Sequence, residues 1–150
     1  KNYWHNIIGY NFRMTNICAA IGLAQLNNVQ NILKNKIRVF KIYKKFLNIS
    51  KLNFNHEIPN TKSSFWIITI FLQNKIYRDK LIKKLKKNKI ETRTTFNPVH
   101  KMPMYYNKSY KNLFPNSVIL SNTGISLPSG PELKENEIKK ICNLINKFIY

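Results

Sequence analysis

Glycine is scarce in this chain: four residues in 150, at positions 9, 22, 124 and 130. That excludes a glycine-rich loop cradling phosphate on successive backbone amides, and with it the dinucleotide and P-loop folds. Cysteine is scarcer still. Cys18 and Cys142 each sit in a helical apolar pattern without a close histidine, which makes neither a zinc site nor a disulfide framework. Both are expected to be reduced, structural thiols in a cytoplasmic protein. Acid is nearly absent, six Asp and Glu against 26 Lys and Arg, for a net charge of +20. No apolar run approaches the roughly 18 residues a membrane span requires; the densest covers residues 65–72. The opening KNYWH has neither a signal-peptide apolar region nor a starting Met, so the sequence reads as the middle of a longer chain.

What is present suits one globular domain. Hydrophobic residues make up 43% and aromatics 13%, enough for a core and too much for a disordered chain. The positive charge invites a nucleic-acid-binding module as one reading. Against it, arginine stands only at 13, 38, 78 and 93, whereas base and phosphate recognition favours its fork, and the abundance of Lys, Asn and Ile together fits codon bias. A solvated Lys surface is the simpler account. It would still attract polyanions, nucleotide diphosphates among them.

Along the chain, Thr15 is placed to cap a helix starting near Asn16. Leu23, Leu26, Val29, Leu33, Ile37, Phe40, Tyr43 and Leu47 recur at spacings of three and four, predicting one helix to about residue 47. Its first turns are slender, with Ala19, Ala20, Gly22 and Ala24 permitting close approach of a helix or a cofactor. A loop follows, with a short extended piece near 52–54, then a buried strand over 65–72. Asn74 can cap a helix over 75–88 with Tyr77, Leu81, Ile82 and Leu85 inward and Lys80, Lys83, Lys84, Lys86 and Lys87 in solvent. A strand over 91–96 precedes a Pro-punctuated aromatic loop, 97–111, of a length that is usually functional. Pro115 opens and Gly124 closes a short helix; residues 125–127 form a strand, and Ile138, Ile141, Ile145 and Phe148 mark a final helix. The order gives an α+β layer, a small sheet with helices on one side.

Two stretches stand outside these patterns. The first is GYNFRMTNICAAIGLAQL, residues 9–26; the second is Thr92-Arg93 with Phe96, Pro98, His100, Pro103 and Tyr105. Both resemble signatures of the sugar aminotransferases called the DegT/StrS family, and residues 125–128 with Leu133 and Ile138 resemble that family's closing segment. The resemblance runs through essentially the whole chain. It implies the C-terminal small domain of a fold-type-I enzyme using pyridoxal phosphate (PLP), with an antiparallel-containing sheet packed by helices and preceded by a long interdomain helix. The implied reaction moves an amino group from glutamate to a nucleotide-linked 4-keto-6-deoxy sugar in a homodimer with shared active sites. The opening YWH, the TNI at 15–17 and the PVHKMPMY at 98–105 are most similar to the branch that aminates GDP-4-keto-6-deoxymannose to form perosamine; UDP- or dTDP-linked sugars stay open.

By the same resemblance, Asn11 reaches the PLP phosphate of a partner subunit, Arg13 supports that phosphate or the sugar nucleotide, His100 contacts the sugar nucleotide and Arg93 its diphosphate. Each has a plainer alternative. Asn11 could cap its own turn, Arg13 could pair structurally, His100 could be a structural hydrogen-bonder, and Arg93 could form a strand-edge ion pair. His5 and His56 match no motif. The family's cofactor-holding lysine, the carboxylate facing the pyridine nitrogen and the ring-stacking aromatic lie upstream of the GYN motif, and nothing around Lys1 resembles them. The resemblance therefore implies an active-site loop over 1–14, a long helix over 15–47, a small domain over 62–150 and a large PLP-binding domain outside this sequence. No residue here is expected to be catalytic by itself, so the piece alone would be inactive; a truncated remnant that keeps only dimer packing is a further possibility.

Overall fold

In the computed structural model, residues 3–54, 57–110 and 112–149 are described; Lys1 and His56 lie outside them. The first helix, α1 (Asn16–Asn27), starts where the sequence places it: Thr15 is extended and its hydroxyl accepts from the Cys18 amide at 3.3 Å. The single helix expected to about residue 47 is two. Asn28 leaves helical geometry (φ −107°, ψ 11°) before α2 (Val29–Phe46) begins. The Asn27-Asn28 pair explains the break, since short amide side chains compete for backbone hydrogen bonds that a helix needs.

Strand β1 (Asn53–Phe54) pairs antiparallel with β2 (Ile68–Phe71). Helix α3 (Lys75–Lys87) is capped by Asn74, whose side chain accepts from the Tyr77 amide at 3.0 Å. Its inward residues are Arg78, Leu81 and Leu85. Tyr77, expected inside, sits on the flank and meets the Phe148 ring edge-on at 6.3 Å. The next strand is shorter than its sequence suggests: β3 holds only Arg93–Thr94. Three short 3₁₀ turns, Val99–Lys101, Pro103–Tyr105 and Lys108–Tyr110, then order the loop over 97–110. Helix α4 (Pro115–Thr123) runs directly into β4 (Gly124–Leu127), and α5 (Glu135–Ile149) closes the chain. Gly124 ends α4 without a left-handed turn (φ −82°). Glycine is needed there for space: a Cβ would strike the Thr95 side chain and come within 2.9 Å of the Leu120 carbonyl.

The four strands form one antiparallel sheet in the order β1-β2-β4-β3. Ile68 and Ile70 lie opposite Leu127 and Ile125, so the period-2 pleat puts all four on one face, with Thr69 opposite Ser126 on the other. The apolar face joins Val39, Phe40 and Tyr43 of α2, Leu81 and Leu85 of α3, and Ile138 and Ile145 of α5 in one core. Phe40 stacks on Phe65 with ring centroids 3.8 Å apart. Helix α2 also holds the proline-bounded turn after β4. Lys36 Nζ donates to the Ser129 carbonyl at 2.7 Å, Arg38 Nη2 to Pro131 and Leu133 at 2.9 and 3.0 Å, and the Tyr43 hydroxyl to Pro128 at 2.9 Å. A turn with no regular partner thus has four of its carbonyls satisfied from one helix.

Candidate active site

The segment ahead of α1 is built from two local side-chain caps. Asn11 Oδ1 accepts from the Arg13 amide at 2.8 Å, an Asx turn, and Thr15 then caps the helix. Arg13 takes a left-handed conformation, φ 66°, which costs a residue with a Cβ about 1–2 kcal/mol and is held by the Asn11 bond. The turn that was the plainer alternative for Asn11 is therefore present. It also fixes the amide plane: with Oδ1 engaged, Nδ2 is left as a donor without a partner among the described residues. The Arg13 guanidinium lies on the same surface, beside Met14 and Cys18, and no acid lines that surface. An amide donor and a permanent cation with no competing carboxylate fit a phosphate group.

From His5 to Asn28 every residue is exposed, including Tyr10, Phe12, Ile17, Ile21 and Leu26. Nothing lies within 4 Å of where a Gly22 Cβ would stand, so the slender face of α1 is not used to pack against the rest of this chain.

The second cluster lies against the sheet edge. Arg93, in edge strand β3, donates from Nη1 to the Tyr3 hydroxyl at 3.1 Å, with Nη2 3.9 Å from Glu91 in a loose, exposed ion pair. The Tyr3 hydroxyl, ahead of Glu91, pushes the already high Arg93 pKa further up. His100 occupies the turn after Pro98, braced by Lys101 N–H to the Pro98 carbonyl and Met102 N–H to that of Val99, both 3.0 Å. Its ring lies 5.0 Å from Phe114, tilted by 40°. His100 Nε2 is enclosed and has no hydrogen-bond partner among the described residues, as is Thr92 Oγ1. A buried orphan nitrogen normally costs free energy, so His100 sits where a further group would complete it.

The structure does not gather the four candidates in one concavity. Asn11 and Arg13 line one surface, while Arg93 lines a groove with Tyr3, Phe96 and Trp66. The sequence reading gave no site role to Tyr3, Trp4 or Asn97. Tyr3 gains its meaning from residues about 90 positions away, and only its place in the opening YWH hinted at it. Asn97 donates from Nδ2 to the Tyr3 carbonyl at 3.2 Å.

The four-stranded antiparallel sheet, its helices and the exposed leading helix with its Asx-turned loop are the frame in which these residues sit. The chain belongs to the DegT/DnrJ/EryC1/StrS aminotransferase family, which it matches over residues 1–146. It is 41% identical over 150 residues to a GDP-perosamine synthase of Vibrio cholerae and 42% identical over 148 residues to one of Escherichia coli O157:H7, with 99% of this chain covered in each case. It spans 41% and 40% of those two relatives' lengths. Among solved structures, DesV of S. venezuelae superposes with a TM-score of 0.81 at 21% identity, covering 99% of this chain and 40% of that one, which establishes likeness of fold. The family is one of PLP-dependent aminotransferases.

Proposed function

We propose that this chain is the C-terminal portion of a PLP-dependent aminotransferase that transfers an amino group from glutamate to C4 of GDP-4-keto-6-deoxymannose, giving GDP-perosamine for surface polysaccharide. The observation that carries this reading is the 41–42% identity, spread over the whole chain, to two relatives named GDP-perosamine synthase. PLP, when bound, carries the amino group between donor and sugar. The residues here do the surrounding work. The Asn11 amide and Arg13 guanidinium hold the cofactor phosphate, and their geometry supports this because both present donors on an acid-free surface. His100, held rigid by the Pro98 turn, and Arg93 face the sugar nucleotide, a dianion that the +20 chain attracts.

The lysine and the rest of the cofactor pocket come from a large domain, so residues 3–14 act as one arm of a composite site, α1 and α2 as the link and residues 62–149 as the small domain. The enzyme works as a homodimer in the cytoplasm, with the Asn11 loop serving the neighbouring subunit. The exposed apolar side chains of α1, Ile17, Ile21, Leu23 and Leu26, support a second copy as their cover. Among the described residues no helix is long and apolar enough to cross a membrane.

Transplanting the chain gives the test. Fused in register to the N-terminal portion of the Vibrio cholerae relative, it should convert GDP-4-keto-6-deoxymannose and glutamate to GDP-perosamine and 2-oxoglutarate. A folded fusion that retains PLP yet aminates only a UDP- or dTDP-linked ketosugar would overturn the substrate. One that aminates none of the three would overturn the function.

A further inference from the structure

We infer that Tyr3 is a positioning residue: it clasps the segment ahead of the Asn11–Arg13 turn to the β3 edge, so that the turn projects from a fixed base. This rests on the role proposed above for Asn11 and Arg13. Three contacts of different kinds converge on Tyr3 from a stretch of five residues. Arg93 Nη1 donates to its hydroxyl at 3.1 Å, Asn97 Nδ2 donates to its carbonyl at 3.2 Å, and the Phe96 ring meets its ring edge-on with centroids 4.9 Å apart. Side chain, backbone and ring are each gripped separately, so both the position and the orientation of the residue are fixed.

The backbone at Tyr3 is bent to suit. Its φ of 56° is left-handed, a conformation a tyrosine adopts only when its surroundings hold it there. Trp4 continues the grip in another direction, lining a concavity with Arg78, Thr95, Asn97, Pro98 and Lys101, while Tyr3 lines the groove beside Arg93 and Phe96. Adjacent side chains thus straddle the β3–Pro98 segment. Beyond Trp4 the attachment weakens: from His5 to Asn28 every residue is exposed, and among the described residues the hydrogen bond within 5–14 is that of the Asn11 turn. Whatever fixes the start of this arm to the small domain must therefore act at Tyr3 and Trp4.

The substitutions Tyr3→Phe, which removes only the hydroxyl, and Asn97→Leu, which replaces the amide by an uncharged group of similar size, test the clasp at two contacts. In the 150-residue chain, backbone ¹⁵N relaxation should show order parameters of residues 3–6 falling from the rigid range, about 0.85, towards 0.6 or below in each variant, with α5 unchanged. In the PLP-bound fusion, each should release cofactor roughly three- to tenfold faster, the size expected for one lost hydrogen bond. Because Tyr3 acts through the turn, adding Tyr3→Phe to Asn11→Ala should cause no further loss of PLP. Unchanged order at residues 3–6 in both variants, or an equal loss of order in α5, would overturn the clasp. Full additivity with Asn11→Ala would overturn its action through the turn. If Asn11→Ala alone leaves PLP release unchanged, the role of Asn11 fails while the relaxation data still decide the clasp.

Discussion

At the scale of single residues, burial separates side chains that look alike in sequence. Cys18 and Cys142 both lie in helical apolar patterns, but Cys18 is exposed on α1 and Cys142 is fully buried in α5. Burial pushes the Cys142 thiol up to about 12, and burial likewise raises the Tyr43 phenol, whose hydroxyl donates to the Pro128 carbonyl. With Ellman's reagent at pH 8, one thiol of the native chain should react within minutes and the second only in denaturant. The same shifts set an alkaline limit. Above about pH 9 an unfolded chain loses the cysteine proton, and nearer pH 10 the tyrosine proton, while the folded chain keeps both. The unfolded state then binds fewer protons, so stability falls as pH rises. The urea midpoint should drop between pH 8.5 and 10.5, and Cys142→Ala should flatten part of that drop; an equal slope in the variant would exclude the thiol as a cause.

Between elements, the contacts that matter most are those with no local signal. Arg38 and Lys36 read in sequence as two more cations on a Lys-rich helix, yet they satisfy carbonyls of the turn between β4 and α5 from more than 90 positions away. Arg38→Met should therefore cost about 1–3 kcal/mol in urea unfolding, because it strands the Pro131 and Leu133 carbonyls. Lys80→Met, on the solvent face of α3, should stay within about 0.5 kcal/mol. Elements whose cause is local were legible. Thr15 and Asn74 cap where their side chains predict, because a cap needs only residues three positions apart. Ile138, Ile141 and Ile145 line the core because helical period dictates it. The break at Asn28 was hidden by an apolar stripe that continues through it. Arg78 replaced Tyr77 inside because the buried face of α3 runs through 78, 81 and 85, which apolarity alone does not reveal. Strand β3 shrank to two residues because its pairing with β4 stops beside the Gly124–Thr95 contact, a detail of tertiary packing. The candidate residues stood out as motifs; their separation, and the hold of Arg93 on Tyr3, depended on the fold.

For the molecule as a whole, the decisive asymmetry is between a small domain with a closed core and an arm with none. Among the described residues, seventeen buried hydrophobic side chains form one cluster, and all of them lie between Val39 and Ile145. None comes from α1, where Ile17 and Ile21 are 73% and 59% exposed and sit one helical turn apart on one face. Leu23 and Leu26 are exposed as well, and so are Tyr10, Phe12 and Met14 ahead of the helix; so much uncovered apolar side chain is the mark of an interaction surface. A helix with nothing buried also has little to hold it in isolation, since most helical stability comes from packing. Replacing Ile17 and Ile21 together with Lys tests which surface covers it. The far-UV spectrum and urea midpoint of the 150-residue chain should hardly change, because neither side chain contributes to its core. In the PLP-bound fusion, the proposed role of the Asn11 loop towards a neighbouring subunit predicts that the same pair converts dimer to monomer by sedimentation and weakens cofactor retention with it. A dimer that survives both substitutions at the same concentration would show that α1 is not the contact, and would leave its exposed side chains to the large domain proposed above.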